Sequence, residues 1–113
     1  MLESVVEKYL KKKIKALGGE CDKFVSPGKK GVPDRICFLP GGRVLIVETK
    51  APGGEPSRIQ KVRIKKLVAL GFEAVVADSK EKVDELCEKL EEKYGIHPKT
   101  LSESRNRKRI RNS

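Results

Sequence analysis

The sequence predicts an α/β protein in which a small mixed sheet is flanked by helices, in the order αβββαβ followed by a last helix. Three observations carry this. Apolar residues recur at helical spacing in three stretches, short Val, Ile and Leu runs lie between them, and Gly or Pro separates each element from the next. At 113 residues the chain suits one domain with one core.

Residues 3–17 read as the first helix. Leu2, Val6, Leu10, Ile14 and Leu17 form one stripe, while Lys8, Lys11, Lys12 and Lys15 take the other side. Glu3 falls inside the apolar sector and Glu7 at its edge. An acid in the first turn is also favoured by the helix dipole, so Glu3 has a structural reason to be there as well. After Gly18-Gly19, residues 20–25 form a short, partly polar strand suited to a sheet edge. The loop Ser26 to Gly31 follows, with Lys29 and Lys30 placed to meet phosphates without reading bases.

Residues 32–50 carry the chemistry. Two apolar runs, Ile36 to Leu39 and Val44 to Val47, flank Pro40-Gly41-Gly42 and predict a β-hairpin. With a three-residue loop, Pro40 enters a type I turn, Gly42 takes the left-handed position and Leu39 faces Arg43. Asp34 then falls opposite Glu48, with Lys50 on the same face. A two-residue loop would instead pair Asp34 with Thr49. Carboxylates forced together repel, and a hard divalent cation with oxygen ligands relieves the repulsion. Taken singly, each of the three charges is better read as a solvent-facing strand end; all three on one face are not.

The second strand of the hairpin is apolar on both faces, as a central strand covered on both sides would be. Residues 51–56 break regular structure, and Ser57-x-x-Gln60 is a capping-box sequence opening the second helix. Gln60, Ile64, Leu67 and Gly71 line one side of it; Arg58, Lys61, Arg63, Lys65 and Lys66 take the other. Glu73 to Ala77 is a strand that closes a βαβ crossover. Asp78 or Ser79 caps a third helix with the stripe Val83, Leu86, Cys87, Leu90 and Tyr94.

Charge narrows the partners. The net charge is +10, and from Gly95 onward six Lys or Arg against Glu103 contribute +5 of it. Residues 1–94 are therefore expected as the folded domain and 95–113 as a flexible basic tail, with Arg105, Arg107, Lys108, Arg109 and Arg111 strengthening polyanion binding. Cys21, Cys37 and Cys87 are odd in number and widely spaced, which suits reduced, buried thiols. No stretch reads as a membrane span or a signal peptide, so a cytoplasmic protein with no membrane partner and no small-molecule substrate is expected.

Gly31-Val32-Pro33-Asp34-Arg35, the Gly-Gly turn, Glu48-x-Lys50 and Ser57-x-x-Gln60 together resemble the VRR-NUC domain. This is the virus-type replication and repair nuclease branch of the PD-(D/E)xK, restriction-endonuclease-like superfamily, and the likeness spans residues 1–90. Its small stand-alone members are associated with bacteriophages and are similar in use to Holliday-junction resolvases. The resemblance implies a restriction-endonuclease-like αβββαβ core and hydrolysis of phosphodiester bonds in DNA with Mg²⁺ or Mn²⁺. Asp34, Glu48 and the Thr49 carbonyl would hold the metal, with Glu3 completing the site in preference to Glu7. Lys50 would position the attacking water, and Gln60 would support Lys50.

Branched DNA and a homodimer follow from the same resemblance, since symmetric cutting of a junction needs two sites. Lys29, Lys30, Arg35 and Arg58 are the basic residues nearest these motifs and the expected DNA contacts. Two other readings fit the sequence. One is a flap, nicking or nonspecific nuclease; the other is a basic nucleic-acid-binding module without catalysis.

Overall fold

The computed structural model describes residues 2–98. Helix α1 (Glu3–Ala16) is followed by strands β1 (Glu20–Lys23), β2 (Arg35–Leu39) and β3 (Arg43–Thr49), helix α2 (Arg58–Ala69), strand β4 (Glu73–Ala77) and helix α3 (Lys80–Tyr94). The expected order holds throughout. One four-stranded sheet runs β1-β2-β3-β4, antiparallel across the first two pairs and parallel across the last. The crossover through α2 makes β3 and β4 parallel neighbours, and β1 lies at the edge as its polar composition predicts. β1 is shorter than the expected 20–25, although the Phe24 N–H still donates to the Asp34 carbonyl at 2.8 Å.

The hairpin register is the one that a three-residue loop dictates. Leu39 pairs with Arg43 and Arg35 with Val47, so the ladder follows the expected register and ends one residue short of Asp34 and Glu48. The turn itself differs from the expected type I form: Gly41 (φ 83°) and Gly42 (φ 75°) are both left-handed. Glycine tolerates this at both positions, so the register survives the change of turn type.

Alternation along β3 splits its side chains between two layers. Leu45 and Val47 join Val6, Leu10 and Ile14 of α1 and Val83, Cys87 and Leu90 of α3 in the core. Ile46 and Glu48 face the α2 side. Helix α3 is capped by Ser79, whose Oγ accepts from the Lys82 N–H at 3.1 Å. Its C-terminal packing runs past Tyr94, because Ile96 is buried against the core. The end of β3 is tied to the last strand by the Lys50 N–H, which donates to the Ala77 carbonyl at 3.0 Å.

The α2 side is less well covered. No residue of α2 is buried; Gln60, Ile64 and Leu67 are only half-buried, and Gly71 is exposed. Arg63, expected on the solvent side, is half-buried, with its Nε enclosed and unpartnered among the described residues. Leu2, expected in the α1 stripe, is exposed because it precedes the first helical turn. The three cysteines are free and buried as expected, with Cys21 and Cys37 opposed across β1 and β2.

Candidate active site

Four segments meet at the open end of the sheet. The first two turns of α1 bring Glu3 and Glu7, the residue before β2 brings Asp34, the end of β3 brings Glu48, Thr49 and Lys50, and the first turn of α2 brings Gln60. Gly31 makes the last approach possible. It is left-handed, and a Cβ there would lie 2.3 Å from Ile59 Cγ2, so only glycine lets the 26–31 loop pass against the start of α2.

Glu3, Glu7 and Asp34 converge, each offering a carboxylate oxygen within 4.8 Å of the others. The Thr49 hydroxyl lies among them, 3.4 Å from Glu3 Oε1, 3.2 Å from Glu7 Oε1 and 3.2 Å from Asp34 Oδ2. A hydroxyl has one proton to donate, so three carboxylates at one hydroxyl leave negative charge uncompensated. Arg35 meets part of it, donating from Nη2 to Glu7 Oε2 at 3.2 Å. Partial burial raises the Glu3 pKa, and the charges of Asp34 and Glu7 raise it further against the lowering effect of Lys50.

Glu48 is fully buried. Both of its donors address one oxygen: Lys50 Nζ and Gln60 Nε2 each lie 3.0 Å from Oε2. Oε1 is enclosed and has no partner among the described residues. An unmet buried polar atom costs about 1–3 kcal/mol, more when charged. Burial accordingly raises the Glu48 pKa; Lys50 opposes this and the Asp34 carboxylate adds to it. The Lys50 pKa is raised by its bond to Glu48, so it is a firmly protonated cation.

Hard oxygen donors fit a hard divalent ion. The Glu3, Glu7 and Asp34 cluster carries surplus charge, and Glu48 keeps an unused oxygen while feeling the same negative neighbour, Asp34. These observations match the donor chemistry a site for a hard divalent metal ion requires.

The sequence expectations meet this geometry unevenly. Glu48 and Lys50 share a face and touch. Glu7, passed over in favour of Glu3, stands in the cluster beside it. Asp34 is not confined to the Glu48 face: it precedes β2, and its carboxylate reaches Thr49 on the opposite one. Thr49 contributes its hydroxyl, a contact that period-two alternation predicts because residue 49 points toward α1. Gln60 caps α2 as expected, but its other contact is not the expected one with Lys50. Its carbonyl accepts from the Ser57 N–H at 2.8 Å, completing the capping box, and its amide nitrogen serves Glu48 rather than Lys50. Lys29, Lys30 and Arg58 are exposed; Arg35 is instead engaged with Glu7. Arg105, Arg107, Lys108, Arg109 and Arg111 lie outside the described residues.

No protein-family model matches the chain. A curated phage protein does, "Putative nuclease p44" of Acyrthosiphon pisum secondary endosymbiont phage 1, with 44% identity over 79 residues, covering 70% of this chain and 85% of that protein. A solved structure described as a VRR_NUC domain superposes with a TM-score of 0.72 at 33% identity, covering 76% of this chain and 94% of the other. The chain belongs to the VRR-NUC family. Its four-stranded mixed sheet with three helices is the restriction-endonuclease-like fold of VRR-NUC domains.

Proposed function

We propose that the chain is a metal-dependent, structure-selective DNA endonuclease that hydrolyses phosphodiester bonds, with four-way junctions as its substrate and a homodimer as its working form. The observation that carries the reading is the convergence of the Glu3, Glu7 and Asp34 carboxylates together with a buried Glu48 that feels the Asp34 charge and keeps one oxygen unused. Asp34, Glu48 and Glu3 would hold Mg²⁺ or Mn²⁺, with Glu7 beside them. The bound ion would supply Lewis-acid activation of water and of the scissile phosphate.

The remaining steps belong to the chain. Lys50 stays charged at neutral pH, so it acts as a donor and cation that orients the attacking water and offsets phosphate charge, not as a base. Gln60 fixes the Glu48 carboxylate. Lys29, Lys30 and Arg58 are exposed and would contact the DNA backbone, with residues 95–113 adding nonspecific affinity. No base-reading motif is present in the sequence, which favours recognition of DNA shape over sequence.

A dimer is supported by the distribution of exposed apolar side chains. Of nine large ones among the described residues, seven lie on the α2 side of the sheet: Phe38, Ile59, Val62, Val68, Leu70, Phe72 and Val76. Clustering of this kind marks interaction surfaces. The test is cleavage of labelled four-way junction and matched linear duplex, with Mg²⁺, Mn²⁺ or chelator, by the wild type and Glu48→Ala. Metal-dependent cutting of the junction alone, lost in the variant, is expected. Equal cutting of linear duplex removes the junction preference, and binding without cutting under every metal condition removes the nuclease.

A further inference from the structure

Lys23 and Arg35 are direct partners in the β1–β2 ladder. Directly opposed residues share a face with their Cβ atoms close together, and like charges so placed destabilise a sheet. Arg35 is relieved by Glu7 at 3.2 Å, but Lys23 has no salt-bridge partner among the described residues. Both residues line an open cavity of about 320 Å³ together with Phe24, Val25, Asp34 and Glu7. The cavity therefore joins a cationic wall to two members of the carboxylate cluster. Its volume lies at the lower end of the range for small-ligand sites and suits a single nucleotide.

We propose that this cavity binds a backbone phosphate of the nucleic-acid strand next to the one being cut, with Lys23 as its principal cation and Arg35 bridging from Glu7. The assignment rests on the nucleic-acid substrate proposed above. An anion between Lys23 and Arg35 converts an unfavourable cross-strand pair into a favourable three-body arrangement. It also holds the strand beside Asp34, where a flanking phosphate must sit for the next one to reach the carboxylates. Phosphate contacts of this kind set register without reading sequence.

The experiment is fluorescence anisotropy of a labelled DNA duplex with the full chain in chelator, over a salt series, using wild type, Lys23→Gln, Lys23→Arg and Lys23→Glu. Removing one lysine–phosphate ion pair lowers the slope of log affinity against log salt by about 0.9. Lys23→Gln is expected to show that drop in slope and a several-fold drop in affinity on any duplex sequence, and Lys23→Arg to keep both at the wild-type level. Lys23→Glu replaces the like-charge cross-strand pair with an opposite-charge one, so its thermal midpoint should rise while its affinity falls. That opposition separates a binding role from a structural one. An unchanged slope and affinity in Lys23→Gln overturns the site, as does a Lys23→Glu variant that loses affinity and thermal stability together. The nuclease reading fails separately: wild type that binds with full slope yet never cuts with any metal leaves the phosphate site standing.

Discussion

The Gln60 amide nitrogen lies 3.0 Å from Glu48 Oε2 while the carbonyl of the same side chain accepts from the Ser57 N–H, so the residue that starts α2 also holds the buried acid. The two hydrogen bonds fix the amide orientation, since only its oxygen can accept and only its nitrogen can donate.

Replacing Gln60 by Glu separates these functions. Glutamate preserves the capping box, so the helix start itself should hold to within about 0.5 kcal/mol. It cannot donate to Glu48 and places a second carboxylate against it. Cleavage is expected to fall by roughly 10–100-fold, the usual effect of losing a residue that orients a metal ligand. Gln60→Ala should lose the cap too, costing about 1 kcal/mol in urea unfolding. Full activity in Gln60→Glu would remove Gln60 from the site.

The raised Glu48 pKa gives a pH dependence of definite sign. Its folded value lies above the ordinary 4.5, so the folded state favours the protonated form. The stability this confers is fully present below about pH 4.5 and is lost as pH rises through the folded value. In chelator, wild type should therefore lose stability relative to Glu48→Gln as pH increases above 4.5. Adding Mg²⁺ at neutral pH should raise the thermal midpoint of wild type and leave Glu48→Gln little changed. Differential scanning fluorimetry with and without metal checks both halves, and a wild type indifferent to Mg²⁺ would contradict the metal assignment.

Thr49→Val keeps the volume of a fully buried residue and removes the hydroxyl among Glu3, Glu7 and Asp34. The change should cost about 1–3 kcal/mol in chelator, because three partly enclosed carboxylates are deprived of their shared donor. Saturating metal should recover most of that difference by supplying positive charge in its place. Paired urea titrations in Mg²⁺ and in chelator measure the recovery. An equal deficit under both conditions would mean that the hydroxyl acts only on the fold.

Val62→Glu combined with Leu70→Glu adds charge to two exposed positions on the α2 side. Surface changes of this kind alter monomer stability by no more than about 0.5 kcal/mol each. If α2 forms the dimer interface, light scattering after size exclusion should shift from twice the chain mass to a single 12.6 kDa chain. An unchanged dimer would place the interface elsewhere.

Much of this arrangement was legible in the sequence because it depends on local rules. The three-residue turn set Leu39 against Arg43, and the register followed from it as far as Arg35 against Val47. Ser57-x-x-Gln60 marked the start of α2, and the apolar stripe of α1 located its buried face. What escaped was decided by tertiary packing. Period-two counting alone kept Asp34 on the Glu48 face, but the strand begins one residue later and leaves its carboxylate free to reach Thr49. Helical spacing put Glu7 at the edge of the buried sector, and only the presence of Arg35 on the facing strand shows why it turns inward. The apolar spacing of Gln60, Ile64 and Leu67 gave no sign that the sheet beneath α2 would leave them half-exposed.

The bond from the Lys50 N–H to the Ala77 carbonyl bears on how the enzyme comes into being. Glu3, Glu7, Asp34, Glu48, Lys50 and Gln60 all precede Leu67, yet the strand that anchors the end of β3 and the helix that seals its apolar face come later in the chain. A polypeptide still emerging from the ribosome thus holds every side chain of the proposed site before it holds the scaffold that aligns them. The proposed site is assembled only with the final third of synthesis, and fragments cut short of β4 carry the motifs without the frame.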